Sequence, residues 1–273
     1  MLRLDSGTFD SRPVALMRVA LGIAIVLVGI ENAFTFAEIA GGRVAIPLFD
    51  GAPPVSPVLS TIIPVLGMLA GGALALGFLS RGAAALAALS SLATLLVEQQ
   101  TYSGHQVLVL LLCVYLAIGD PGARWSVDAR LRGHARDTVA RLPVLLVLSQ
   151  ISIVYLFTAI AKINPVYLSG WVIDGASILG LPAPGPMILA WASIALEFFL
   201  AFGLLWRRTT TVAVILGTGF HFMIAATLRE PFALWAFSLT MIGTYPLFIY
   251  RSRVDAAWGR VIARARSIEL TKR

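Results

Sequence analysis

Eight apolar runs, most of them about twenty residues long, recur along the 273-residue chain with only short polar gaps between them. They fall at about 13–38, 57–79, 82–100, 104–119, 142–163, 187–206, 209–228 and 231–250. A hydrocarbon layer about 30 Å thick takes roughly 20 apolar residues of helix to cross, and inside it backbone polar groups are satisfied only within helices or closed barrels. The pattern therefore predicts an all-α polytopic integral membrane helix bundle of about eight transmembrane helices. A membrane domain is expected over 1–250 and a basic tail over 251–273. Hydrophobic residues make up 58% of the chain and charged residues 13%, with mean hydropathy +0.87, so no sizeable soluble domain is expected beside the spans.

Gly and Pro punctuate the gaps, with Gly41, Gly42, Pro53, Pro54 and Pro57 in the first long loop, Pro121 and Gly122 after the fourth span, and Pro182, Pro184 and Pro186 before the sixth. Cys113, the single cysteine, lies inside LVLLLCVYLAI and reads as a small core residue. The N-terminal segment MLRLDSGTFDSRP has no early apolar region and no small-residue cleavage site, so no cleavable signal peptide is expected.

The net charge of +7 reads as topology, with no nucleic-acid partner implied. Seventeen of the 21 basic residues lie in the N-terminal segment, the second, fourth and sixth loops and the tail, whereas Arg43, Lys162 and Arg229 lie on the other face. By the positive-inside rule both termini are expected in the cytoplasm. The tail carries Val254, Trp258, Val261 and Ile262 at near-helical spacing. Two readings fit it: an interfacial helix on anionic lipid, or an ordinary positive-inside anchor.

An ionisable group inside hydrocarbon costs about 2.5–3.5 kcal/mol on insertion scales, so each one retained there needs a reason. Arg18, about one and a half turns into the first span, is expected to snorkel to the cytoplasmic surface. Glu31 and Glu98, toward the outer ends of spans one and three, are expected to face water. Lys162 ends the fifth span in QISIVYLFTAIAKINP, and on a helical projection Tyr155, Thr158 and Lys162 form one polar stripe. That lysine either snorkels outward or is a partly desolvated amine, and a neutral amine is a usable general base.

His221, in GTGFHFMIAAT, lies about 18 Å along the seventh span from its cytoplasmic end. His105, in TYSGHQVLV, opens the fourth span from the same outer side. Each reads either as a hydrogen-bonded packing residue or as part of an outer-leaflet site with Lys162. Glu197, in WASIALEFFLAF, is the deepest carboxylate, and its partner is expected to be His221 or another inward polar group. The chain has no CxxC, HExxH, Walker loop or post-strand GxGxxG, which disfavours zinc and nucleotide chemistry. No metal motif matches the spacing of His105, His221 and Glu98. No internal repeat of the kind expected in a transporter is visible.

Four segments, in order, resemble the transmembrane part of the vitamin K-dependent gamma-carboxylases and the wider, mostly bacterial HTTM family. They are GFLSRGAAALAAL, with Gly77 and Arg81; TYSGHQVLVLLLCVYLAIGDPGARWSVDARL, with the WSVD loop Trp125 to Asp128; QISIVYLFTAIAKINPVYLSGW; and FHFM. The resemblance implies that Lys162 matches the lysine that deprotonates vitamin K hydroquinone in the carboxylases. There oxygen adds, and the base so formed removes a proton from the gamma-carbon of a glutamate, which takes up carbon dioxide.

By the same resemblance His105 and His221 would join Lys162 as catalytic residues lining the quinol pocket. Tyr155, Thr158, Glu197 and Tyr102 would contact the cofactor, a reduced vitamin K or menaquinol. A bacterial cytoplasmic membrane is implied, with the site toward the extracytoplasmic side and a peptide or protein as a further partner. The chain departs from the carboxylases at Gly104, where they have asparagine, and at Ala161, where they have a second lysine; it also ends where they continue into a lumenal domain. These departures bear on glutamate carboxylation. The competing reading is a non-catalytic membrane partner for peptide maturation or export, as resemblance to HTTM proteins of toxin operons implies.

Overall fold

The first structural decision is the close approach of two helices that present glycine to each other. The structure is a computed structural model and describes residues 7–42, 46, 56–97, 99–229 and 232–251. Glu98, the first long loop around Pro53 and most of the basic tail therefore lie outside the described residues. Helix α1, Ser11–Ala40, runs antiparallel to α2, Pro57–Leu76. A Cβ built on Gly22 would lie 2.5 Å from the Ala75 nitrogen, and one on Gly71 would lie 2.8 Å from the Gly22 carbonyl oxygen. Lipid tails are as apolar as leucine, so helices in a bilayer associate through this kind of backbone-to-backbone packing.

Helix α3, Ser80–Val97, continues the principle by burying Ala83, Ala84, Ala87 and Ala88, and packs against both α2 and α4, Gly104–Ile118. A short α5, Val127–Leu131, leads to α6, Arg141–Ala161. Two more short helices, α7 at Pro165–Leu168 and α8 at Trp171–Ala176, precede α9, Gly185–Gly203, and α10, Thr210–Thr227. The last described helix, α11, is Phe232–Arg251. Strands β1, Thr8–Asp10, and β2, Thr138–Ala140, form a small antiparallel clasp with Phe9 opposite Val139. It holds the starts of α1 and α6 together.

Among the described residues seven helices are long and apolar enough to cross a membrane: α1, α2, α3, α6, α9, α10 and α11. The remaining expected span is α4, whose 15 residues give about 22 Å of helix, short of a full hydrocarbon thickness. The all-α membrane bundle holds. Its long lipid-facing rows include Leu69, Leu89, Ile215 and Phe222, all exposed. Exposed Trp125 and Trp206 lie at the end where α1 begins, and Trp171 and Trp235 at the other, as interfacial aromatics do.

The end where α1 begins is tied by a polar knot. The Asp128 carboxylate accepts from the backbone of Leu79 and Ser80, both at 2.8 Å, and from the Ser80 hydroxyl at 2.6 Å, capping α3 from 48 residues away. Gly77 ends α2 in the left-handed conformation, φ 70°, and its carbonyl accepts from Asp128 N at 2.9 Å. Arg81 closes the C-terminus of α4 by donating to the carbonyls of Gly119 and Ile118, at 2.6 and 3.0 Å.

Arg18 does not snorkel. It is 0% exposed, points inward, and donates from Nη2 to the Trp125 carbonyl at 2.7 Å, with the Asp128 charge beside it. The guanidinium occupies the space that a Cβ on Gly77 would need. An arginine pointing inward reaches a carbonyl and a carboxylate that lipid cannot offer, which is why it forgoes the surface.

Burial alone would raise the Asp128 carboxyl; the Ser80 hydroxyl, two backbone N–H groups and the nearby Arg132 outweigh it and hold the group below the usual carboxylate range. The stability it contributes is thus present above that range and declines as pH falls through the lowered value. Asp128→Ala should cost about 1–3 kcal/mol through three orphaned donors and flatten the acid-side decline, read by thermal unfolding of purified protein between pH 7 and 3. Gly22→Leu should drive α1 from α2 and abolish the monodisperse peak in size-exclusion chromatography, whereas Leu69→Ala on the lipid face should leave it intact.

Candidate functional site

The last turns of α6 carry the polar stripe of the chain's only intramembrane-edge lysine. Thr158 and Lys162 face a cavity of about 280 Å³, and Tyr155 lies one turn deeper. Lys162 follows the last helical residue as C-cap, and Asn164 and Pro165 then restart the chain as α7, with Asn164 Oδ1 accepting from Tyr167 N at 3.0 Å. That reversal sets the Tyr167 ring 5.3 Å from Lys162 Nζ.

The amine donates to Glu197 Oε1 of α9 at 2.7 Å. The two side chains are 25% and 7% exposed. Lys162, and not His221, is therefore the partner of Glu197. The second carboxylate oxygen, Oε2, is buried with no hydrogen-bond partner. Tyr167 and Ser193 share a hydrogen bond of 2.9 Å on the same wall. The rest of the lining is mostly apolar, including Ile173, Leu189, Phe220, Met223 and Phe237. A backbone bridge closes the roof, with Ile178 N donating to the Thr227 carbonyl at 2.9 Å and Arg229 N to the Ala176 carbonyl at 3.0 Å.

Behind this cavity is a second polar group. The Tyr155 hydroxyl lies 2.7 Å from His221 Nε2 and 2.5 Å from the Tyr245 hydroxyl, joining α6, α10 and α11. His221 is 0% exposed, with Phe220 and Phe237 packed edge-on to its ring at centroid distances of 5.4 and 5.2 Å. Those two phenylalanines line the cavity and His221 does not. Of the two readings of His221, the packing one describes its place: the imidazole stands behind an aromatic wall in a buried network and does not line the cavity as the resemblance implied. Its Nδ1 has no partner.

His105 and Tyr102 are not at the lysine either. They line another cavity, of about 250 Å³, between the far end of α1 and the start of α4, with Glu31, Asn32 and Gln106. Glu31, expected to face water, lines this cavity. The Phe237 ring lies 6.2 Å from His105 and 5.2 Å from His221, so one side chain separates the two regions. Of the seven expected site residues, the structure brings Thr158, Lys162 and Glu197 to one cavity, places Tyr155 and His221 just behind it, and leaves Tyr102 and His105 across the partition.

Tyr245, Tyr167 and Ser193 escaped the sequence reading. Tyr245 sits in an apolar helix with no local motif. The one trace of it is Gly217, a turn before His221, where a Cβ would collide with the Tyr245 hydroxyl. That signal exists only once α10 and α11 are known to touch.

The HTTM domain family model matches residues 8–252. No curated protein and no solved structure matches the chain. The matched stretch spans the polar knot built on the WSVD loop, the lysine helix and the His221 helix, nearly the whole chain, and on that match the chain belongs to the HTTM family.

Proposed function

We propose that the Lys162 cavity binds the ring of a lipid-soluble quinol, reduced vitamin K or menaquinol, and that Lys162 acts with Glu197 as the base that takes up its proton. The observation that carries this reading is a lysine–carboxylate pair at 2.7 Å on the wall of an otherwise mostly apolar cavity. Ligand pockets are mainly apolar with a few placed polar groups and run from about 300 Å³ upward. At about 280 Å³ the cavity suits a ring, and its mostly apolar lining suits the first part of a lipid chain. The HTTM domain, associated with carboxylase-like membrane proteins, supports the same chemistry.

Two features of the residues fit a hydroxyl donor. The Lys162–Glu197 pair lies on the cavity wall, and the Tyr167–Ser193 pair offers hydroxyl oxygens on the same wall. Lys162 can accept a proton only once its own has moved to Glu197, and their direct contact provides that path. The quinol, when bound, supplies the electrons that reduce oxygen. Phe220, Phe237 and Met223 exclude water from the ring. In its fuller form the reading adds carbon dioxide as co-substrate and a peptide or protein substrate on the extracytoplasmic side of a bacterial cytoplasmic membrane.

The test is oxygen consumption by purified protein given reduced menaquinone or vitamin K hydroquinone. Wild type should consume oxygen, and Lys162→Ala should lose about 100-fold or more. Equal rates for the two, or none above a detergent blank together with no quinone bound in native mass spectrometry, would sink the reading and favour a non-catalytic role in peptide maturation or export.

Stability and activity should separate. Removing one member of a fully buried pair costs about 3–5 kcal/mol; with Lys162 still 25% exposed, Lys162→Ala should cost about 2 kcal/mol. The double change Lys162→Met with Glu197→Leu removes both charges and should recover the melting temperature while staying inactive. Recovery of activity in that variant would exclude the pair from the chemistry.

A further inference from the structure

The hydrogens of the Tyr167–Ser193 pair are assigned by its surroundings. A serine hydroxyl has one proton and two lone pairs. Ser193 Oγ lies 2.8 Å from the Ala190 carbonyl oxygen, and a carbonyl has no proton to give, so the single hydrogen of the serine lies in that contact. Tyr167 is then the donor in its 2.9 Å contact with Ser193. With its own proton committed, the Tyr167 oxygen has only lone pairs left for anything in the cavity that both residues line. Its place is fixed from three sides. Asn164 Oδ1 accepts from the Tyr167 N–H at 3.0 Å, Lys162 Nζ lies 5.3 Å from the ring centre, and Ser193 is buried in α9.

We infer that Tyr167, oriented by Ser193, makes the Lys162 cavity prefer a reduced quinol ring to the oxidised quinone. This rests on the quinol reading of the cavity and adds the redox state that the site selects. A quinol presents O–H donors, and a quinone presents carbonyl acceptors alone. At Lys162 and Glu197 both forms find a partner, because an ammonium donates to a carbonyl and a carboxylate accepts from a hydroxyl. Tyr167 breaks that balance. A quinol hydroxyl donates to its oxygen, whereas a quinone oxygen set there meets a second set of lone pairs with no hydrogen between them. In a mostly apolar cavity such an unmade hydrogen bond is poorly compensated, and sites built to bind a hydroxyl discriminate on this ground. Ser193 acts as a positioning residue: its commitment to the Ala190 carbonyl keeps the tyrosine proton turned away from the ligand. The oxidised ring is held less firmly than the reduced ring that replaces it, which favours its release.

Anaerobic calorimetry on the protein in lipid nanodiscs gives the affinities for menadiol and menadione separately, and a redox titration gives the midpoint potential of the bound couple. Wild type should hold menadiol at least about tenfold more tightly, which raises the potential of this two-electron couple by about 30 mV over empty nanodiscs. Ser193→Ala frees the Tyr167 proton to turn into the cavity, so menadione should bind about fivefold more tightly or better and the potential should fall back. Tyr167→Phe removes the acceptor: menadiol should weaken while menadione holds, with the same fall in potential. If Tyr167→Phe does not fold, the wild-type preference and Ser193→Ala, which loses one oxygen atom, carry the test. A pair with a merely structural role would weaken both ligands together and leave the potential in place. That result, or equal wild-type affinity for the two ligands, overturns the inference and leaves the quinol site standing. Binding of neither ligand to wild type overturns the quinol reading and this inference together.

Discussion

Hydrocarbon offers no hydrogen bonds, and every polar group that this chain carries into the bundle has to find its partner inside the protein. Arg18 meets the Trp125 carbonyl and the Asp128 charge; Lys162 meets Glu197; Tyr155 meets His221 and Tyr245. Each of these contacts joins segments far apart in sequence. The apolar faces could slide past one another at little cost, because a leucine against lipid and a leucine against leucine are nearly equivalent. The polar contacts set the register that the apolar faces leave free.

The two ends of the bundle use this constraint differently. Where α1 begins, Asp128 and Arg81 cap helix termini, and Asp128 has no orphaned role to fill. At the opposite end Lys162, Glu197 and Gln106 line cavities, and both ends keep buried atoms without a hydrogen-bond partner, among them Arg18 Nε and Nη1 at the first and His221 Nδ1 at the second. The WSVD loop belongs to the scaffold, and the residues proposed to carry the chemistry lie at the far end.

Much was legible in the sequence. Apolar run length is a local quantity, so the membrane class and the helix positions followed from it, with α4 the short exception. Lys162 stood out because a lysine at the rim of a span is rare, and its stripe with Thr158 followed from helical spacing alone. Partners were not legible. For Glu197 the sequence left His221 and any other inward polar group open, and the lysine 35 residues earlier is the one that reaches it.

Grouping His105 with Lys162 failed for a related reason. Both belong to the same end of the bundle, and sequence places residues along a helix axis without saying which neighbour a face meets. In a soluble protein an amphipathic stripe reveals the buried face. In α1, apolar on all sides, no such stripe exists, so neither the inward turn of Arg18 nor the approach of Gly22 to α2 could be read ahead. The sequence by itself determined a helical membrane bundle and the depth of each polar group. Only the tertiary structure decided which of those groups share a cavity, because lateral helix packing, with Phe237 standing between the two cavities, is a property of several helices at once.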